Sequence, residues 1–192
     1  ELGINTVFCA KNQNSMTEHL NFVASLDVCR THTVSLIRGD GQAEVGKQIC
    51  PEKYLNIATI LENNLKNKAT ARYRFSGARL KAAQDILQRR LIYRTVVEKK
   101  QQLPCLAGRL SMVITENGDV YPCESFTKRL GNLRETGYDL KKIICSPTSK
   151  DLLVRIAKKE CYCHHECYMM MNILFNLRCY PALVKEYLAL SR

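Results

Sequence analysis

The sequence contains no apolar run approaching the roughly 18–20 residues needed to cross a bilayer, so no membrane span is expected. Its first residues, ELGINTVFCAKNQ, have no basic stretch leading into a long apolar one, which argues against a signal peptide. Neither an internal repeat nor a low-complexity tract is present, so repeat architectures and wholesale disorder are not expected. Negative charge is scarce: 18 Asp and Glu stand against 29 Lys and Arg, for a net +11. An initiator methionine is also missing, and the chain opens in what reads as mid-strand. It is therefore expected to be the C-terminal part of something longer.

What is present is 192 residues, 46% of them hydrophobic. That suffices for one ordinary domain or two small ones with a genuine core. Ten cysteines are many for a chain with no sign of export. A disulfide scaffold is normally shorter and loop-rich. The reading is a reducing, cytoplasmic compartment in which thiolates are kept for metal.

Along the chain, residues 4–9 (INTVFC) read as a strand and Met16–Leu26 as a helix, with Ser15 or Thr17 available as its cap. Thr33–Ile37 reads as a second strand, ending at Arg38-Gly39-Asp40. Strand, helix and strand at this spacing make a βαβ unit with parallel strands. Parallel pairs need cover on both faces and two strands do not make a sheet by themselves, so neighbouring strands are expected to be missing from this sequence. From Pro51 the pattern turns helical, with Tyr54, Ala58, Leu61 and Leu65 on one face. A second helix follows Ser76-Gly77, with Leu80, Ala83, Leu87 and Leu91 as its apolar stripe, and Pro104 bars its continuation.

Residues 66–100 hold eleven Lys or Arg against Asp85 and Glu98, nearly all of the net charge. The plain reading is the solvated face of a long helix. The sharper one is a docking surface for an acidic protein or for nucleic acid. No aromatic platform or nucleic-acid motif accompanies the charge, which argues against nucleic acid. Beyond Pro104 the character changes. Residues 111–121 form two short strands about Asn117-Gly118, a hairpin signal. Leu140–Ile144, Asp151–Lys159, Tyr168–Phe175 and Leu183–Leu190 read as short helices.

The cysteines carry the chemistry. Cys105, Gly118 and Cys123 are spaced C-x12-G-x4-C, and the hairpin between the two cysteines brings its outer ends together so that both sulfurs can reach one site. Some forty residues on come Cys161, Cys163 and Cys167, spaced C-x-C-x3-C. Five cysteines exceed the four that a thiolate-ligated cluster or ion needs. Cys163 and Cys167 are favoured, because a spacing of four puts both on one face where the chain enters the Tyr168 helix. Cys161 is the alternative ligand. Tetrahedral thiolate suits zinc as well as iron–sulfur, and His164 and His165 keep zinc open. Cys9, Cys29, Cys50, Cys145 and Cys179 lack partners at ligand spacing and read as small buried hydrophobes.

The phrases Asn117-Gly118-Asp119-Val120-Tyr121-Pro122-Cys123 and Gly131-Asn132-Leu133, with Cys105 before them and Cys161-x-Cys163-x3-Cys167 after, resemble the SPASM/twitch domain of radical S-adenosylmethionine (SAM) enzymes. Asn5-Thr6-Val7 and Leu36-Ile37-Arg38-Gly39 resemble the last two strands of the family's barrel. The resemblance implies an α/β fold. Residues 1–102 would be the last strands and helices of a partial (β/α)6 barrel, and 103–192 a small α+β SPASM/twitch domain of hairpin and helices. It implies one auxiliary [4Fe–4S] cluster on Cys105, Cys123, Cys163 and Cys167, with Cys161 as alternative. Arg38 would face the SAM and substrate cavity. The full-length enzyme would use SAM and a second [4Fe–4S] cluster to modify a peptide, protein or small-molecule substrate. An electron donor of ferredoxin or flavodoxin type would be its partner. The family's catalytic C-x3-C-x2-C triplet does not occur in this sequence, so the chain alone is not expected to cleave SAM. The rival readings are a non-catalytic zinc-binding interaction module and a basic nucleic-acid-binding protein.

Overall fold

Strands β1 (Leu2–Phe8) and β2 (Cys29–Leu36) pair in parallel, Asn5 opposite Thr33 and Val7 opposite Ser35, in a computed structural model that describes residues 2–39, 44–67 and 75–190. Side chains alternate between the two faces. Phe8, Val34 and Leu36 are buried on one. On the other, Asn5 Oδ1 accepts from Thr33 Oγ1 at 3.1 Å and from Ser35 Oγ at 2.8 Å. Helix α1 (Met16–Ala24) links the strands and buries Met16, Leu20 and Val23, so the βαβ unit forms as read. Ser15 is its N-cap, but its hydroxyl bonds back to the Asn12 carbonyl instead of capping an amide.

After α2 (Glu44–Lys47) come α3 (Pro51–Asn67) and α4 (Ala78–Glu98). Proline suits the first position of α3, where its missing N–H has no intrahelical partner to lose. Tyr54, Ala58 and Leu61 are buried there, as their spacing predicts, together with Ile57. On α4 the expected stripe needs correction. Ala83 and Leu91 are buried, but Leu80 is 45% exposed. Ala82, Ile86 and Ile92 are buried in addition, together with the polar Gln84, Asp85, Gln88 and Thr95.

The segment Lys99–Cys163 is a unit of its own. Its sheet has the order β3 (Val113–Ile114), β4 (Asp119–Tyr121), β5 (Gly131–Asn132), all antiparallel. Helices α5 (Leu140–Ile144) and α6 (Pro147–Ala157) follow. Asp139 caps α5 by accepting from the Lys142 amide at 3.2 Å, and Ser146 caps α6 by accepting from Ser149 at 3.1 Å. Val120, Leu130, Ile143 and Leu152 form the core. Gly131 leaves room for this packing, because a Cβ there would lie 3.1 Å from an Ile143 methyl and press it aside by a few tenths of an ångström.

Helices α7 (Glu166–Leu174) and α8 (Tyr180–Ala189), joined by a 3-10 turn at Leu177–Cys179, return to the first unit. That unit comprises Glu1–Glu98 and His164–Arg192, whereas the sequence suggests one change of character near residue 103. The physical reason is α4, which packs against α3, α7 and α8 at once. A helix covered on three sides has no single apolar stripe, which also explains the failed expectation above.

Part of the basic stretch is committed within its own unit. Arg90 bridges Glu62 at 2.5 Å and Glu186 at 2.6 Å, and Lys66 holds Glu62 at 2.6 Å. Arg94 pairs with Glu98, and Arg79 stacks on Tyr187 at 4.3 Å while donating to the Leu190 carbonyl. Lys68, Arg72 and Arg74 lie outside the described residues. No helix among the described residues is long and apolar enough to cross a membrane.

Candidate metal centre

Cys105 and Cys123 flank the hairpin, whose turn differs from the expected two-residue form. The Thr115 amide donates to the Asp119 carbonyl at 3.0 Å, and Gly118 N–H donates to the Thr115 carbonyl at 2.9 Å. Glu116, Asn117 and Gly118 therefore make a three-residue loop with the glycine last, at φ +83°. This is a tight turn closed by a left-handed residue, a position glycine occupies without strain. The Gly131-Asn132-Leu133 phrase locks it. Asn132 Nδ2 donates to the Asn117 carbonyl at 3.0 Å and to Asp119 Oδ1 at 2.9 Å. Its Oδ1 accepts from the amides of Arg134 at 2.8 Å and Glu135 at 3.4 Å. Residue spacing gave no sign of this lock, although the phrase itself was visible.

Past β4 the chain reaches Pro122 and buried Cys123. Burial pushes the Cys123 thiol up. Backbone N–H groups of Ser125 and Phe126 donate to its sulfur and pull the other way, and negative charge on Cys105 raises it again. At the far end of the unit, Cys161 is half-buried and its thiol is pushed up to about 11. Burial is the main cause, followed by the charges that Cys105, Cys123 and Cys163 would place beside it. The Cys161 carbonyl accepts from Gln101 Nε2 at 3.3 Å, which ties this strand of chain to the start of the unit. Four thiols, Cys105, Cys123, Cys161 and Cys163, are thus electrostatic neighbours inside Lys99–Cys163. Among the described residues, no group of three or more Cys, His, Asp or Glu side chains stands ready to hold a single metal ion.

The reason given for preferring Cys163 with Cys167 does not hold. Helix α7 begins at Glu166 and 160–165 has no regular structure, so a helical spacing of four does not relate the two. Cys167 is exposed and belongs to the first unit, where its amide donates to His165 Nδ1 at 3.3 Å. His165 is the N-cap of α7 and packs edge-on against Tyr168 at 4.8 Å, which is a structural role. His164 is lowered below its usual pKa, chiefly by burial. Of the other cysteines, Cys29 and Cys179 are buried as expected and Cys9 and Cys50 are half-buried. Cys145, the C-cap of α5, is exposed, contrary to expectation. None of the ten is in a disulfide. Arg38 lines a cavity in the first unit and is paired there with Glu166 at 2.8 Å. Sequence reasoning did not single out Glu166.

Several thiols in one unit, with amide hydrogen bonds to sulfur, are the donors that a cysteine-ligated metal or cluster takes: soft anionic groups whose mutual repulsion a bound cationic centre relieves. The residues present therefore fit an iron–sulfur group. Residues 105–168 match the family model of SPASM, an iron–sulfur cluster-binding domain, and the chain carries a SPASM-type domain there. No curated protein and no solved structure matches the chain.

Proposed function

We propose that the chain holds one auxiliary [4Fe–4S] cluster on Cys105, Cys123, Cys161 and Cys163, in service of a radical SAM enzyme. The observation that carries the ligand set is that all four cysteines belong to the one unit that also holds the hairpin, whereas exposed Cys167 does not. Cys161 takes the place that helical spacing had assigned to Cys167. The cluster would supply one-electron transfer, its potential set by burial and by hydrogen bonds such as those from Ser125 and Phe126 to Cys123. SPASM domains are found in radical SAM enzymes, and this supports SAM-dependent radical modification of a peptide, protein or small-molecule substrate. SAM itself needs a cluster with an open iron, and the C-x3-C-x2-C triplet for it is absent from this sequence. The net charge of +11 supports an acidic electron donor of ferredoxin or flavodoxin type. Ten cysteines without a disulfide support a reducing, cytoplasmic setting.

Anaerobic reconstitution with iron and sulfide tests the reading. The expected product is brown and contains iron and acid-labile sulfide in equal amounts. Cys105→Ala, Cys123→Ala, Cys161→Ala and Cys163→Ala should each lose most of the iron, while Cys167→Ala keeps it. Colourless protein that takes up zinc and no sulfide would establish the zinc-module alternative. Iron loss in Cys167→Ala but not in Cys161→Ala would restore the helical-spacing ligand set.

A further inference from the structure

A cavity of about 320 Å3 lies in the first unit, against the Asn5–Thr33–Ser35 face of β1 and β2 and walled by α3, α4 and α7. Its wall carries five charged side chains, and four of them are paired. Glu166 is held by Arg38 at 2.8 Å and also accepts from the Leu36 amide at 3.3 Å. Asp85 is held by Lys81 one helical turn away. Arg89 is the fifth. Among the described residues it meets no carboxylate, and its buried Nη1 has no hydrogen-bond partner. Tyr54 lines the same cavity, is 2% exposed, and its hydroxyl is likewise without a partner. Buried donors are rarely left unmade, because each forfeits the hydrogen bonds it had in water. Two such donors and one uncompensated positive charge line the same half-open cavity, which is a site short of one anionic acceptor.

We infer that this cavity binds the carboxylate of a small ligand between the Arg89 guanidinium and the Tyr54 hydroxyl. A guanidinium fork matches a planar carboxylate, which can accept from two of its N–H groups at once. A monoanion balances the single spare charge, whereas a phosphate dianion would bring a second negative charge close to Asp85 and Glu166. The volume is at the lower end of the range for ligand pockets, about 300–1,000 Å3. That fits an amino-acid-sized molecule or the terminal residue of a peptide. The inference stands apart from the cluster, because binding is measurable on the iron-free chain.

The test is isothermal titration of the iron-free 192-residue chain with four probes: N-acetylalanine, acetyl-trialanine with a free C-terminus, the same peptide amidated, and inorganic phosphate. At least one free carboxylate should bind at millimolar concentration, and the tighter of the two identifies a small-molecule or a peptide source. The amidated peptide should not bind. Arg89→Gln should weaken binding about ten- to a hundredfold, the scale of a hydrogen bond to a charged group. Tyr54→Phe, which keeps the ring packed, should weaken it severalfold with an unchanged circular dichroism spectrum. Four results would each overturn the inference: no carboxylate binding, equal binding of the amidated peptide, tighter binding of phosphate, or undiminished binding by both folded variants.

Discussion

Replacing Asn132 with alanine removes the side chain that holds the hairpin turn, and its cost follows from its contacts. Asn132 is 8% exposed and makes three good hydrogen bonds, to Asn117, Asp119 and Arg134, besides a longer one to Glu135. Asp119 retains Arg129 as a partner and Asn117 is exposed, so those acceptors are not stranded. The Arg134 amide is left without its acceptor. At about 1 kcal/mol for each of the three good bonds, with water able to reach the amide of exposed Arg134, the loss is about 2–4 kcal/mol. Native-state hydrogen exchange reads this locally, at the amides of Thr115, Gly118 and Leu133 that close the turn and its neighbour strand. At 1.4 kcal/mol per decade, exchange there should speed up about thirty- to a thousandfold. The same variant should hold its cluster less well, because the turn sets the position of Cys123 relative to Cys105. Acceleration below about threefold, under 1 kcal/mol, would refute the view that this asparagine organises the hairpin.

Arg90→Met should destabilise the first unit by about 2–3 kcal/mol in urea unfolding, because Glu186, 4% exposed, is left with the longer contact to Lys66 at 3.5 Å. A loss below 1 kcal/mol would mean the network contributes little. Glu62 is pushed up by burial but pulled further down, below its ordinary 4.5, by hydrogen bonds from Arg90 and Lys66. Its contribution to stability is therefore complete above pH 4.5 and fades as pH falls through the lower folded value, and Glu62→Gln should flatten that part of the pH–stability curve. The reconstituted chain, given dithionite and SAM, should show a reducible cluster but release no 5′-deoxyadenosine by chromatography. Stoichiometric release would mean that one of its own irons is open to SAM.

The strand–helix–strand unit, the face of α3 and the hairpin were legible in the sequence, because each is a local pattern. Apolar residues at helical spacing, strand-forming runs at crossover distance and a glycine after Glu116-Asn117 express themselves within a few residues of chain. The cysteine inventory was legible for the same reason, since ligand chemistry is carried by residue type. Other features depended on contacts between segments far apart in sequence. Helix α4 lost its expected stripe because α7 and α8 return to cover it. The positive run at 66–100 became in part an ion-pair network because Glu62 and Glu186 lie beside Arg90. The grouping of thiols turned on where α7 starts. Cys163 stands two positions ahead of the cap His165, so its spacing of four to Cys167 is not helical, and capping geometry is not visible in spacing alone. Sequence alone therefore determined which groups this protein has to bind with: ten thiols, a turn glycine and an excess of cations. Tertiary structure decided which of them meet, because burial and charge act through space, and neighbours in space are set by how distant segments pack.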